Sequence, residues 1–421
     1  LLFLFICFFE PFLKEINNLQ LTSDNHVYIG GLGIISAIGN NITETIQSFK
    51  EHRSGIHSTT YLETRHNHTF PLGEVKLSNS ELAQRLNLSP KLSRTILLSY
   101  HAVLETLSHI SMDKLHELNV GFISASTVGG MDKTETFFES YNQDSESGDL
   151  SQVIHHDNGK ATDYVASKFG IHDFVTTLST ACSSSANAIM LGTRLIKANQ
   201  LDVVIAGGVD ALTRFTLNGF NSLMILDKNQ CKPLDQDRQG LNLGEGAAYV
   251  LLLNEKAMTF LGLSSSVVVS GYSNSNDSYH QTALSDDGQG PFLAMQGAIK
   301  KANIQPGQID YINMHGTGTQ NNDQAESHAV KNLFQDNIPP VSSTKSFTGH
   351  TLGASGAVEA VISVLAIQHH FIPPNYNFNS SIEPFHISPV TKIQENVKLT
   401  HVLSNSFGFG GNCSSLIFSS L

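Results

Sequence analysis

Short apolar runs rich in Val, Ile and Leu alternate with longer segments in which apolar residues recur every three or four positions. The first pattern is typical of buried strands and the second of helices that bury one face. Strands are predicted at residues 27–35, 120–124, 175–179, 203–206, 247–253, 266–271, 311–314 and 416–419. Helices are predicted at residues 95–109, 183–199, 290–303, 323–334 and 354–369. This alternation predicts an α/β protein in which helices cover mixed sheets.

Composition sets the limits of the fold and of its partners. The chain has 421 residues, of which 40% are hydrophobic and 15% charged, so it can bury a large core. Its formal net charge of −12 argues against a nucleic-acid-binding protein. An acidic partner protein would therefore need a local basic patch on this chain.

The cysteines and histidines show no metal-binding spacing. Cys7, Cys182, Cys231 and Cys413 have no CxxC or paired arrangement, and no HExxH pattern occurs among the 19 histidines. This argues against disulfides and against a metal site. It also favours a reducing compartment, so we expect a cytoplasmic protein without a metal.

Residues 1–25 differ in character from the rest of the chain. Residues 1–13 are strongly apolar but contain Glu10, are too short to span a bilayer, and have no basic start or small-residue cleavage site. Residues 14–25 are polar and predict a linker. We interpret residues 1–25 as an extension outside the main domain, an upstream segment or start-site artefact, and do not expect residues 1–13 to contact a membrane.

Cys182 lies between a predicted strand and a predicted helix, in Ser-Thr-Ala-Cys-Ser-Ser-Ser at residues 179–185. At a helix start, unpaired backbone N–H groups and the positive helix end converge. Such a position lowers the pKa of a thiol below its reference value of about 8.5, and its N–H groups can hold an oxyanion. The alternative is that Cys182 is a small buried hydrophobic residue, the usual state of a free cysteine.

Two histidine segments and a glycine-rich turn follow Cys182. His315 lies in Asn-Met-His-Gly-Thr-Gly-Thr, His350 ends Ser-Thr-Lys-Ser-Phe-Thr-Gly-His, and Asn-Ser-Phe-Gly-Phe-Gly-Gly occupies residues 405–411. With these motifs the chain resembles, over residues 26–421, the β-ketoacyl-acyl-carrier-protein synthases, Cys-His-His members of the thiolase-like condensing-enzyme superfamily. The other matching segments are Gly-Gly-Leu-Gly at 30–33, Ala-Gly-Gly at 206–208, Pro-Leu-Asp-Gln-Asp-Arg-Gln-Gly at 233–240 and Gly-Glu-Gly at 244–246.

The resemblance implies a thiolase-like, five-layered αβαβα fold of two pseudo-duplicated halves, here residues 26–260 and 261–421. It also implies a homodimer, or a heterodimer with a chain-length partner. Acyl groups would arrive on the phosphopantetheine of an acyl-carrier protein, so no other cofactor is expected. The implied reaction joins a cysteine-bound acyl group to malonyl-acyl-carrier protein, giving 3-oxoacyl-carrier protein and CO₂ in fatty-acid or polyketide-like elongation.

The site residues divide into those that react and those that support them. Cys182 is suited to holding the acyl group, because thiolate attack on a thioester is nearly isoenergetic. His315 and His350 are suited to stabilising the malonyl enolate by N–H donation. By resemblance, Lys345 keeps both imidazoles neutral, with Glu326 as the partner of its ammonium. The resemblance also implies that Asp323 supports the same loop.

The remaining assignments concern substrate binding. By resemblance, Thr317 and Thr319 contact the pantetheine arm, the N–H of Phe409 completes the oxyanion site, and its ring gates the acyl cavity beside Phe407. Further residues assigned by resemblance are Val128 and Phe220 in the acyl cavity, and Lys91 and Arg94 in a carrier-docking patch. The chain departs from the usual family sequence at Gln320, Leu241 and Asn412-Cys413, which leaves chain length and primer open.

Two other classes compete with an active condensing enzyme. A non-catalytic chain-length partner typically lacks the cysteine, and Cys182 with both histidines argues against it. A thiolase-like or chalcone-synthase-like enzyme that uses coenzyme A typically carries Cys-His-Cys or Cys-His-Asn, whereas the second-half motif here carries His350.

Overall fold

The computed structural model describes residues 26–421. The strands are β1 Tyr28–Ser36, β2 Ile56–His57, β3 Leu72–Gly73, β4 Val120–Ala125, β5 Phe174–Leu178, β6 Val203–Asp210, β7 Gly246–Leu253, β8 Val267–Asn276, β9 Tyr311–Asn313, β10 Val341–Ser342, β11 Phe371–Ile372, β12 Gln394–Glu395, β13 His401–Gly408 and β14 Asn412–Ser420. The interpretation of residues 1–25 falls outside the described residues.

Helices connect and cover these strands. They are α1 Ile42–Lys50, α2 Asn79–Leu86, α3 Arg94–Thr106, α4 Met112–Leu115, α5 Met131–Gln143, α6 Gly159–Lys168, α7 Ser184–Lys197, α8 Arg214–Ser222, α9 Glu255–Leu261, α10 Gln289–Ala302, α11 Gln320–Phe334, α12 Lys345–Thr348 and α13 Ser355–His369. Short 3₁₀ helices occupy Leu150–His155, Pro306–Gln308, Leu352–Ala354 and Phe409–Gly411.

Ten strands follow one order, β10-β9-β13-β14-β8-β1-β7-β6-β4-β5. The order consists of two sets of five, joined at β1 and β8 by the single pair Tyr28–Val268. Each set has the same arrangement: β5-β4-β6-β7-β1 corresponds to β10-β9-β13-β14-β8, with three parallel strands followed by two antiparallel ones. The pseudo-duplication is therefore a property of the topology. Residue 260, where the division is predicted, lies in α9.

Helices form three layers around these two sets. Helices α3 and α6 cover the outer face of the first set, and α10, with α11 packed on it, covers the second. Helices α7 and α13 contact strands of both sets and lie between them. The result is the predicted five-layered αβαβα fold.

Helix α13 is apolar on all sides, which is typical of a helix at the centre of a large core. The stretch Leu352–His369 is long and apolar enough to cross a membrane, but 89% of it is buried inside the protein. It is therefore a core helix, and its one acidic residue, Glu359, is buried with it.

The eight predicted strands and five predicted helices are confirmed, with shifted ends. Helix α3 ends at Thr106, and β6, β8 and β14 extend beyond their apolar runs. Strand β13 was not predicted, because Ser404, Asn405 and Ser406 interrupt its apolar pattern. Burial of Asn405 is offset by hydrogen bonds, since it donates to Glu326 at 3.0 Å and accepts from Ser415 at 2.8 Å.

Candidate active site

Cys182 sits in a sharp turn between β5 and α7, as the sequence predicts. Ala181 adopts a φ of 54°, a left-handed conformation that a residue with a Cβ rarely adopts. This turn places Cys182 two residues before the first residue of α7, with only 7% of it exposed. Gly408 lies directly against it, because a Cβ at that position would be 3.0 Å from the backbone nitrogen of Cys182.

The two predicted histidines converge on this thiol. His350 Nε2 lies 3.0 Å from Cys182 Sγ. The rings of His315 and His350 are perpendicular, with their centroids 5.4 Å apart. His315 follows β9, His350 follows α12, and both are buried. The fold therefore joins three motifs that lie far apart in sequence.

Both imidazoles are held neutral. Burial, and then the charge of Lys345, keep the pKa of His315 well below its usual value, and the same two causes act on the pKa of His350. Lys345 Nζ lies 3.2 Å from His315 Nδ1, and an ammonium can only donate there. The proton of neutral His315 is therefore on Nε2, which makes that atom a hydrogen-bond donor for a ligand.

The pKa of the Cys182 thiol is raised, whereas the sequence predicts a lowered one. Burial raises the pKa of Cys182 to about 11, although Lys345 and the backbone N–H of Phe409 both act to lower it. Desolvation of the thiolate outweighs the favourable charges in this enclosed position. Cys182 is therefore a thiol at rest, and His350 Nε2 is the group placed to accept its proton.

Lys345 has a different partner from the predicted one. Its ammonium forms an ion pair with Glu359 Oε1 on α13 and donates to the His315 carbonyl oxygen at 2.7 Å. The assignment of Glu326 as its partner was wrong, because the carboxylate of Glu326 is occupied by other donors. A lone acidic residue in the apolar run of α13 was the signal that sequence reasoning missed, since a buried charge needs a partner.

Glu326 instead fixes the backbone of the His315 loop. Its carboxylate accepts from the backbone nitrogens of His315 at 2.9 Å and Gly316 at 2.8 Å. Burial raises its pKa to about 7. Asp323, one turn earlier on α11, accepts from the nitrogens of Gly318 and Leu234 at 3.1 and 2.8 Å. The prediction that Asp323 supports this loop is confirmed in geometry.

Two cavities meet at Cys182. The first, of about 310 Å³, holds both histidines, Thr317 and Thr319. The second, of about 400 Å³, is mostly apolar. Phe220 and Phe409 line both cavities, and their rings stack with centroids 5.8 Å apart. The other predicted residues lie here as well: Val128 lines the second cavity, and Phe407 lines the first beside His315.

The predicted docking pair does not form a surface patch. Arg94 is 8% exposed and forms an ion pair with Glu245 at 2.6 Å, while its backbone nitrogen donates to Asp132. Including it in a carrier-docking surface was wrong, because the guanidinium is needed to neutralise a buried carboxylate. Lys91 is exposed.

The thiol and the two imidazoles could also act as metal ligands. Their donor atoms lie within 4.8 Å of one another, and thiolate with imidazole suits zinc. A divalent ion here would stand beside the buried ammonium of Lys345, which contacts His315. That repulsion favours proton chemistry over metal binding at this site.

Comparisons with known proteins agree with this geometry. The family "Beta-ketoacyl synthase, N-terminal domain" matches residues 24–257, and "Beta-ketoacyl synthase, C-terminal domain" matches residues 266–379. The 3-oxoacyl-[acyl-carrier-protein] synthase 2 of Coxiella burnetii is 31% identical over 93% of this chain and 98% of the relative. That of Staphylococcus aureus strain COL is 29% identical over 94% and 99%.

Solved structures give the same result. "The ishigamide ketosynthase/chain length factor" matches with a TM-score of 0.89 and 28% identity over 94% of this chain and 99% of that one. The ketosynthase ApeO in complex with its chain length factor ApeC, from Xenorhabdus doucetiae, matches with a TM-score of 0.78 and 32% identity over 95% and 99%.

A thiolase-like fold with a cysteine and two neutral histidines at its centre defines an acyl-transferring condensing enzyme. The chain belongs to the β-ketoacyl synthase family. It catalyses Claisen condensation in fatty-acid or polyketide elongation.

Proposed function

We propose that Cys182 accepts the acyl group and that His315 and His350 stabilise the enolate of a malonyl thioester during decarboxylative condensation. The 3.0 Å approach of His350 Nε2 to Cys182 Sγ, beside a neutral His315, carries this proposal. The same observation favours an active enzyme over a non-catalytic chain-length partner.

Acyl transfer begins with a protonated thiol. As Sγ attacks the thioester carbonyl, the thiol proton passes to His350 Nε2. The backbone N–H groups of Cys182 and Phe409 receive the developing oxyanion, and the latter already points at Sγ. Collapse of the intermediate breaks the carbon–sulfur bond to the carrier, and His350 returns the proton to the departing thiolate.

Condensation uses the same imidazoles as donors. Loss of CO₂ from the malonyl carboxylate leaves an electron pair that moves onto the thioester oxygen. The N–H at His315 Nε2 stabilises this charge, and His350 adds a second donor once its proton lies on Nε2 rather than on Nδ1. The enolate carbon then attacks the acyl carbonyl on Cys182, the thiolate of Cys182 leaves, and a solvent proton restores the thiol.

The two cavities match the two parts of such a substrate. The hydroxyls of Thr317 and Thr319 lie 2.9 Å apart in the first cavity and suit the amides of a pantetheine arm. The apolar second cavity suits an acyl chain. An acyl-carrier protein is therefore the proposed donor, and no cofactor besides its phosphopantetheine is needed.

Reconstitution tests the function. Purified protein given an acyl-carrier thioester and malonyl-carrier thioester should release CO₂ and form a product that is two carbons longer, as measured by mass spectrometry. Cys231 and Cys413 are also buried, so Cys231→Ser and Cys413→Ser serve as controls that should retain product formation. The proposal would be overturned if wild type and both controls formed the product while no acyl mass appeared on Cys182.

We also propose that a second chain of this fold covers the outer edge of β5. This strand ends the sheet order, and its residues are all half-exposed. An open edge strand can pair with another chain. Helix α5 buries none of its residues, and an exposed apolar surface lies around it. Its members are Phe138, Tyr141, Leu150, Ile154, Phe215 and Leu223.

Sedimentation distinguishes the possible assemblies. We expect the purified chain to form a homodimer with twice the 45.7 kDa mass of one chain. A monomer that dimerises only with a second thiolase-fold chain would support a heterodimer, as in the ketosynthase and chain length factor complexes named above. A chain that stays monomeric with either partner would contradict the proposed interface.

A further inference from the structure

A polar network behind the nucleophile links it to the glycine turn that supplies the Phe409 N–H. The network centres on Asn412, the first residue after the 3₁₀ helix Phe409–Gly411. Its Oδ1 accepts three hydrogen bonds: from Ser183 Oγ at 2.7 Å, from Asn187 Nδ2 at 3.0 Å and from Asn274 Nδ2 at 2.9 Å. These donors come from the Cys182 turn, from α7 and from β8.

The network holds a strained piece of backbone. Ala181, immediately before Cys182, has a φ of 54°. Such a conformation is unfavourable for a residue with a Cβ and persists only where its surroundings fix it. Residues on both sides of it are tied down: Asn187 Nδ2 donates to Thr180 Oγ1 at 2.9 Å, and the single hydroxyl hydrogen of Ser183 is shared between Asn412 Oδ1 and the Thr180 carbonyl oxygen, at 2.7 and 2.8 Å.

The other end of the network is a turn with little intrinsic rigidity. Gly410 and Gly411 have φ values of 79° and 77°, which glycine adopts freely. The position of the Phe409 N–H relative to Cys182 is therefore not set by these residues alone. Asn412 is the next residue along the chain, and its side chain reaches back to Ser183, the residue after Cys182.

We propose that Asn412 is a positioning residue for acyl transfer, which holds the Phe409 and Cys182 N–H groups in the geometry that receives the oxyanion. This rests on the proposed function of Cys182. Asn412 touches neither the thiol nor the histidines in the described hydrogen bonds, so it acts only through Ser183 and the glycine turn. Enolate stabilisation depends on the two imidazoles and does not pass through this network.

The chemistry of the network selects the variants. All three bonds use Oδ1 as an acceptor, so Asn412→Asp keeps the acceptor, whereas Asn412→Leu removes it at similar volume. Ser183→Ala leaves Asn412 intact and removes its link to the Cys182 turn, together with the contact between Ser183 Oγ and the Thr180 carbonyl oxygen. Asn332 is an exposed asparagine on α11, and Asn332→Leu is the matched control.

Two rates are measured on each variant. The first is acylation of Cys182 by a pantetheine thioester, followed by intact-protein mass spectrometry. The second is CO₂ release from a malonyl thioester in the absence of an acyl donor. Removal of an oxyanion donor costs about 10²–10³-fold, so a misplaced donor should cost about tenfold. Asn412→Leu should therefore acylate about tenfold more slowly with CO₂ release unchanged. The acylation rate of Asn412→Asp should stay within about threefold of the wild-type rate. Asn332→Leu should acylate at the wild-type rate.

Each outcome decides a separate point. Wild-type acylation in Asn412→Leu would overturn the inference. If that variant is poorly folded, Ser183→Ala gives the same test, with slower acylation and unchanged CO₂ release as the expected result and wild-type acylation as the contrary one. An equal loss of both rates in Ser183→Ala would also overturn it, since that pattern indicates general damage. A wild-type protein that neither acylates nor releases CO₂ would instead refute the proposed function.

Discussion

At the scale of single residues, the position of each proton decides what Cys182, His315 and His350 can do. Burial keeps the thiol protonated and both imidazoles neutral, so the resting site carries no charge on these three groups. His350 is close enough to exchange a proton with Sγ, while His315 is tied at Nδ1 by Lys345. The two histidines are therefore not equivalent.

This difference predicts distinct effects of their removal. His315→Ala should lower CO₂ release from malonyl thioester by about 10²–10³-fold while Cys182 still acylates, because it removes one enolate donor. His350→Ala should slow both steps, because the proton acceptor of Cys182 is lost as well. Measuring the two rates separately checks this, with His116→Ala as an exposed control. Unchanged CO₂ release in both variants would rule out the proposed role.

The raised pKa of Cys182 predicts how its alkylation depends on pH. Because the pKa of the thiol is about 11, the thiolate fraction should keep growing as the pH rises above 9. The rate of Cys182 alkylation by iodoacetamide, followed by peptide mass spectrometry, should rise by up to about tenfold per pH unit over pH 7–9. A rate that levels off below pH 8 would show that the thiolate is stabilised far more than this geometry accounts for.

At the scale of elements, the active site is built from the ends of helices and strands. A buried ion pair connects two of these helices. Lys345 begins α12 and pairs with Glu359 in α13, both of them 2% exposed at the side chain. This pair positions the ammonium beside His315. Burying two charges costs desolvation energy, so removing only one of them leaves the other uncompensated.

Removal of Lys345 should therefore cost stability as well as activity. Lys345→Met should lower the free energy of unfolding by about 3–5 kcal/mol, because it strands the carboxylate of Glu359. The exposed pair of Lys331 and Asp336 offers a control, and Lys331→Met should change stability by less than about 1 kcal/mol. Chemical denaturation of both variants measures these changes. Equal losses of unfolding free energy would mean that the buried ion pair stabilises the fold no more than the exposed pair does.

The sequence predicted the positions of helices and strands better than it predicted which side chains pair with each other. Apolar periodicity and motif order were enough for the strand–turn–helix around Cys182 and for both histidine loops. The partner of Lys345 could not be predicted in the same way, because acidic residues lie on the helices on both sides of it in sequence, Glu326 on α11 and Glu359 on α13. Only the packing of α11 and α13 decides which carboxylate faces the ammonium. The raised thiol pKa was missed for a related reason, since the degree of enclosure is a property of the fold.

At the scale of the whole molecule, the active site lies where the two repeated halves meet. Cys182 follows β5 of the first strand set, while His315 and His350 follow β9 and α12 of the second half. Helices α7 and α13 pack together between the sets and so fix the two groups relative to each other. The half-exposed edge of β5 ends only a few residues before Cys182, so a subunit interface there would also support the site.

A charge on that edge should disrupt assembly. In a symmetric pair of β5 strands, Thr176→Lys would bring two like charges close together across the interface, which is unfavourable. Sedimentation should show a shift from dimer to monomer, with lower condensation activity. Thr43→Lys, at an exposed position on α1, is the control and should remain dimeric. A Thr176→Lys protein that is still fully dimeric would place the interface elsewhere.

Acylation of Cys182 tests the account most directly. After incubation with an acyl-carrier thioester, the intact mass of the protein should rise by one acyl group, and digestion should place that group on the peptide containing Cys182. Cys182→Ala should gain no mass and form no condensation product, yet still release CO₂ from malonyl thioester, because His315 and His350 remain. An acyl group on another residue, or condensation by Cys182→Ala at the wild-type rate, would contradict the assignment of the nucleophile and the mechanism built on it.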